Sequence, residues 1–140
     1  MQATGNVLAV LGLSALAGGM LFFGAVMAPL IFTTLPPDAA GTLIRAAFPR
    51  YYGFMVVSAT IGAVGFGLRG QMMPVLLLTF VVLATLFAWF WIIPYLNGVR
   101  EAGNMAAFQR GHMLSTILDG LELLAALWLL VKTALLVGSR

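Results

Sequence analysis

The chain has no cysteine, a single histidine, and only four acidic and seven basic residues among its 140. Without cysteine it can form no disulfide, no thiolate nucleophile and no Cys-based zinc or iron–sulfur site. His112 offers one imidazole, whereas transition-metal and haem sites ordinarily draw on several N, S or O donors. No cofactor is therefore expected, and His112 is at most a weak metal candidate. Charged residues make up 8% of the chain and hydrophobic ones 62%, with a mean hydropathy of +1.07. A soluble domain carries about 25% charged and 45–50% apolar residues, so this composition excludes one and places the chain in a lipid bilayer.

The formal net charge of +3 would suggest nucleic acid in a soluble protein. Here Arg45, Arg50, Arg69, Arg100, Arg110, Lys132 and Arg140 are scattered near the ends of apolar runs, where lipid head groups meet them, and no basic cluster interleaves with aromatics. Nucleic acid is not an expected partner; the bilayer is. No Gly-rich phosphate loop, nucleophile elbow or catalytic triad is present, which leans away from an enzyme and leaves the question open.

Four apolar runs remain, at about residues 6–32, 52–68, 74–95 and 110–137, each near the roughly 20 residues that cross a membrane as a helix. The expected fold is an all-α integral membrane four-helix bundle, one domain over 1–140, in the cell (inner) membrane with both termini on one side. The first run has no Lys or Arg before it and outlasts a signal h-region, so it reads as a retained span. Small residues at Ala15/Gly19, Gly24/Ala28, Gly62 and Gly65 let helix backbones approach in lipid. Pro29 is expected to bend or end the first helix. Pro36-Pro37-Asp38 marks a turn with Asp38 as N-cap. Residues 38–48 are too short to span, but their apolar positions recur at helical intervals, which predicts a short interfacial amphipathic helix between spans one and two. Arg69-Gly70-Gln71 reads as a tight turn, and Pro94, Asn97-Gly98 and Gly103-Asn104 punctuate a connector before span four. The basic residues divide almost evenly between the two sides, so they do not fix orientation.

Span four carries the anomaly. His112, Ser115, Thr116, Asp119 and Glu122 fall within an arc of roughly 120° and run about 15 Å down one helix face. A carboxylate at that depth costs at least about 2.5–3.5 kcal/mol, so it should face the bundle, pair with a cation or carry a proton. The candidate solute- or proton-binding residues are Arg110, His112, Ser115, Thr116, Asp119 and Glu122, with Arg110 as a rim cation tuning Asp119. Arg50, Tyr51 and Tyr52, on the loop side shared with the start of span four, are the candidate cavity mouth. Three readings compete: interhelical hydrogen-bond glue, a lined pocket or proton pathway, and a haem- or metal-linked redox site. The glycine-rich faces of spans one and two add a fourth, an accessory or scaffolding subunit in a homo-oligomer or larger membrane complex.

Two strings carry a family resemblance, Gly41-(x6)-Phe48-Pro49-Arg50-Tyr51-Tyr52 and Arg110-Gly111-His112-Met113-Leu114-Ser115-Thr116-Ile117-Leu118-Asp119. Together with Ala28-Pro29-Leu30-Ile31-Phe32 and a proline late in span three, the chain resembles the transmembrane protein 205-like family, also catalogued as domain of unknown function 4149. The resemblance implies a four-span membrane protein without assigned catalysis. It also implies that Asp119 stands where relatives usually have asparagine, and that Glu122 lies outside the shared motif. A more distant similarity to copper-resistance membrane domains and a haem-dependent protoporphyrinogen oxidase meets only one histidine here.

Overall fold

The computed structural model describes residues 1–138, and side-chain surroundings through residue 135. Among the described residues four helices are long and apolar enough to cross a membrane. They are α1 (Gln2–Thr34), α2 (Pro37–Leu68) and α3 (Met72–Glu101), and α4 (Met105–Gly138). The all-α membrane bundle is therefore present, with longer helices than the apolar runs suggest. Helices of this length reach about 45–50 Å, while the hydrocarbon core is about 30 Å thick. Hydropathy marks the apolar stretch of each helix, and a helix of this length extends past a hydrocarbon core of that thickness.

The separate interfacial helix expected over 38–48 does not exist as such. Those residues are helical but run straight into span two, with Pro49 inside α2. Proline removes one N–H from the helix ladder. Beside that break the Arg50 guanidinium donates to the Ala46 carbonyl at 2.7 Å, while the carbonyl that Pro49 leaves without its helical donor is that of Arg45. Asp38 is not the N-cap either. Pro36 holds that position without a side-chain bond, and Asp38 sits in the first turn, where its charge suits the positive end of the helix dipole.

Pro29 and Pro94 do not end their helices. Each follows a π-helical stretch, Phe22–Met27 before Pro29 and Ala88–Ile92 before Pro94. A proline ring clashes with the carbonyl four residues earlier, here that of Ala25 or Phe90, and both lie inside the π stretches. The wider π turn moves that carbonyl aside and lets the helix continue.

The turns obey local chemistry. Gly70 and Gly103 are at φ +70° and +72°, the left-handed conformation glycine adopts without a Cβ clash. Gly70 N donates to Gly67 O and Gln71 N to Phe66 O, while Gly103 N donates to Arg100 O and Asn104 N to Val99 O. Both sets close Schellman-type helix ends. Asn104 then caps α4, its Oδ1 accepting from Ala107 N at 3.1 Å. Asn104→Ala is expected to cost about 1 kcal/mol and Gly103→Ala about 1–2 kcal/mol, read as lower thermal midpoints in detergent. An unchanged midpoint for both would contradict this account of the α3–α4 turn.

Packing is tightest between α1 and α2. A Cβ placed on Gly12 would strike backbone atoms of Gly62 and Ser58, and one on Gly65 would strike the backbone of Ala9. The small-residue seam is thus Gly5, Ala9 and Gly12 against Ser58, Gly62 and Gly65. The pair expected at Gly24/Ala28 packs no backbone there, since nothing lies within 4 Å of a Cβ on Gly24. Below the seam Leu13, Leu16, Met55, Phe66 and Leu78 fill the core. Large apolar side chains such as Phe80, Leu83, Trp91 and Leu124 point outward, as lipid contact favours.

Candidate functional site

Where Gly24 leaves space, the bundle opens. A cavity of about 670 Å³ occupies the end of the bundle that holds the α1–α2 and α3–α4 turns, walled by all four helices. That volume is in the 300–1,000 Å³ range of pockets that enclose one small molecule. Phe23, Gly24 and Ala28 from α1 form one side, and Phe48 and Tyr51 from α2 the next. Phe23 stacks on Tyr51 with centroids 4.3 Å apart. The α1 π stretch thus supplies both the aromatic wall at Phe23 and the gap at Gly24.

The α4 wall carries the polar stripe. Phe108, His112, Ser115, Thr116 and Asp119 all line the cavity. Ser115 Oγ and Thr116 Oγ1 each donate to the His112 carbonyl at 2.9 Å, so their protons are engaged within their own helix and join no two helices. His112 stacks on Phe108 at 5.8 Å and 4°. Asp119 lies deeper along α4, half-buried and lining the cavity.

Glu122 departs from the stripe. It is 2% exposed and does not line the cavity. Its Oε1 accepts from Thr85 Oγ1 of α3 at 3.4 Å, while that hydroxyl also donates to Val81 O at 2.8 Å. The shorter bond takes most of the single proton. Glu122 Oε2 is buried without a hydrogen-bond partner. Asp119 remains within electrostatic reach of Glu122, and both carboxyl groups are within reach of Tyr51 and Tyr52.

The other sequence candidates separate. Arg110 is exposed and lies off the cavity wall, and among the described residues no ion pair within 4.0 Å joins it to Asp119. Tyr51 faces the cavity, Tyr52 is 1% exposed within the core, and Arg50 serves the Ala46 carbonyl. The residues at the outer end of the cavity are instead Arg45, Asn97 and Arg100. Sequence reasoning passed over them because Arg45 and Arg100 read as ordinary head-group residues. The usable signal was Gly41, one helical turn before Arg45 and buried. Gly111 has a comparable packing reason, since a Cβ there would meet Leu96 Cδ2 at 2.7 Å. Among the described residues no three of His, Cys, Asp or Glu gather in one place.

Four apolar helices of membrane-crossing length define a multi-pass, all-α membrane protein. The sequence profile of the family described as "domain of unknown function (DUF4149)" matches residues 11–105, more than half of the chain, and the chain belongs to that family. The match takes in Gly41, Arg45, Tyr51 and Arg100 and ends where α4 begins, short of the His112–Glu122 stripe. No curated protein and no solved structure matches the chain.

Proposed function

We propose that this protein binds or passes a small solute or protons through the cavity beside α4. The observation that carries the reading is the placement of His112, Ser115, Thr116 and Asp119 on one wall of a partly open cavity, along a membrane-length helix where an ionisable side chain is costly and so marks a functional site. Asp119 is the polar contact deep in that space. Glu122 is the second carboxyl group, held behind the wall against Thr85. His112, whose imidazole can donate and accept hydrogen bonds, is nearer the outer end. The likeness to transmembrane protein 205-like proteins belongs to this proposal and is consistent with a transport or trafficking role.

In proteoliposomes with a trapped pH-sensitive dye, Asp119→Asn together with Glu122→Gln is expected to lower proton flux, and uptake of a small cation such as methylammonium, at least tenfold. Unchanged rates for both probes would remove the proposal.

A further inference from the structure

The outer end of the cavity brings two cations together. Arg100 Nη2 and Arg45 Nη1 lie 3.2 Å and 3.3 Å from the point where a Cβ on Gly41 would stand. Two guanidinium groups on different helices thus converge over one buried glycine. Like charges so placed repel unless an anion joins them. Asp38 and Glu101 share the outer pocket with them, but among the described residues no carboxylate comes within the 4.0 Å of an ion pair with either.

Both side chains are held in place by neighbours that leave donors free. Arg45 Nη2 donates to Thr42 Oγ1 at 3.3 Å, and Thr42 Oγ1 in turn donates to Asp38 O at 2.8 Å. The Arg100 guanidinium rests over the Phe108 ring at 5.7 Å, and Phe108 stacks on His112. A guanidinium, a phenyl ring and an imidazole therefore descend one wall in sequence. Asn97, one turn before Arg100, adds an amide at the same level. Beneath the arginines most of the wall is apolar, with Ile44, Phe48 and Phe32, while the α4 side keeps His112, Ser115, Thr116 and Asp119.

A converging cationic rim above an apolar chamber matches a molecule that is anionic at one end and apolar along its body. Guanidinium forks bind phosphate and carboxylate oxygens through paired hydrogen bonds. Arg45 lies about two turns from the start of α2 and Arg100 in the last turn of α3, the end of the bundle at which the polar end of an amphiphile would meet water. We propose that Arg45 and Arg100 seat the phosphate or carboxylate of a single-chain amphiphile whose apolar body occupies the cavity. The inference rests on the reading of that cavity as a binding chamber and goes beyond the small solute or proton proposed there by naming an amphiphile as an occupant. Gly41 is the residue that makes room for the seat.

The experiment uses the full chain in phosphatidylcholine nanodiscs and three probes. These are a lysophosphatidic acid with a fluorescent acyl chain, a monoacylglycerol with the same chain, and inorganic phosphate as competitor. The expected result is saturable binding of the anionic probe, at least tenfold tighter than the neutral one, with no competition by millimolar inorganic phosphate. Arg45→Gln with Arg100→Gln should erase that preference and leave neutral binding in place, whereas Arg45→Lys with Arg100→Lys should retain part of it. Gly24→Trp, at a position with open space around it, should abolish binding of both probes by filling the chamber.

The outcomes separate the two claims. If Gly24→Trp blocks both probes but the glutamine pair leaves the preference intact, the arginine seat is wrong and the chamber stands. If Gly24→Trp changes neither, the chamber itself is wrong. If inorganic phosphate displaces the anionic probe fully, the seat takes a free anion and the amphiphile assignment is overturned.

Discussion

Gly12→Leu is expected to force α1 away from α2 and destabilise the bundle by about 3 kcal/mol or more, the upper part of the range for overpacking. Even the first carbon of a side chain at Gly12 would overlap the backbone of Gly62 and Ser58. Backbone cannot swing away as the end of a flexible side chain can. In lipid, helix association depends on such close packing because no water is expelled to drive it. Gly18→Leu is the matched control, since nothing lies within 4 Å of a Cβ there, and a change within about 0.5 kcal/mol is expected. Denaturant titration in micelles reads both. Equal stability of the two variants would contradict the seam.

Glu122→Met is expected to act in the opposite direction, raising stability by about 1–3 kcal/mol, the size of the penalty for one unsatisfied buried polar group. Glu122 Oε2 has no hydrogen-bond partner, and the Thr85 hydroxyl keeps its 2.8 Å bond to Val81 O when the carboxyl is gone. Methionine is unbranched and flexible enough to fill the vacated volume. The same substitution should lower proton flux. A gain in stability with a loss of flux is what a group retained for use at a cost to packing produces. A fall in stability would instead mark Glu122 as a structural tie between α4 and α3.

The membrane class and the four helices were legible because hydropathy responds to the bilayer directly. Their ends were less so. Pro29 reads as a bend or an end and Pro94 as part of a connector, yet each follows a π turn within a continuous helix, and Pro49, just past the short helix expected over 38–48, lies inside one. Those adjustments depend on neighbouring turns and not on the proline alone. Gly70 and Gly103 were legible as turns because the left-handed conformation selects glycine locally.

The polar wall of the cavity was legible along α4, where helical spacing puts His112 and Asp119 on one face. Glu122, within the same arc, faces Thr85 instead, because the edge of that arc meets α3. The converging arginines were not legible. Arg45 and Arg100 are 55 positions apart in sequence, and only the fold brings their guanidinium groups together over Gly41.

The claim that the α4 stripe faces an accessible chamber is tested most directly by thiol labelling in sealed native-lipid vesicles, which the absence of native cysteine makes unambiguous. Thr116→Cys, on the cavity wall, is expected to react with a small water-soluble maleimide at a rate near that of Asn104→Cys at the α3–α4 turn. Ile117→Cys, one position on and 55% exposed toward lipid, is expected to stay unlabelled. A Thr116→Cys variant as inert as Ile117→Cys would contradict the account.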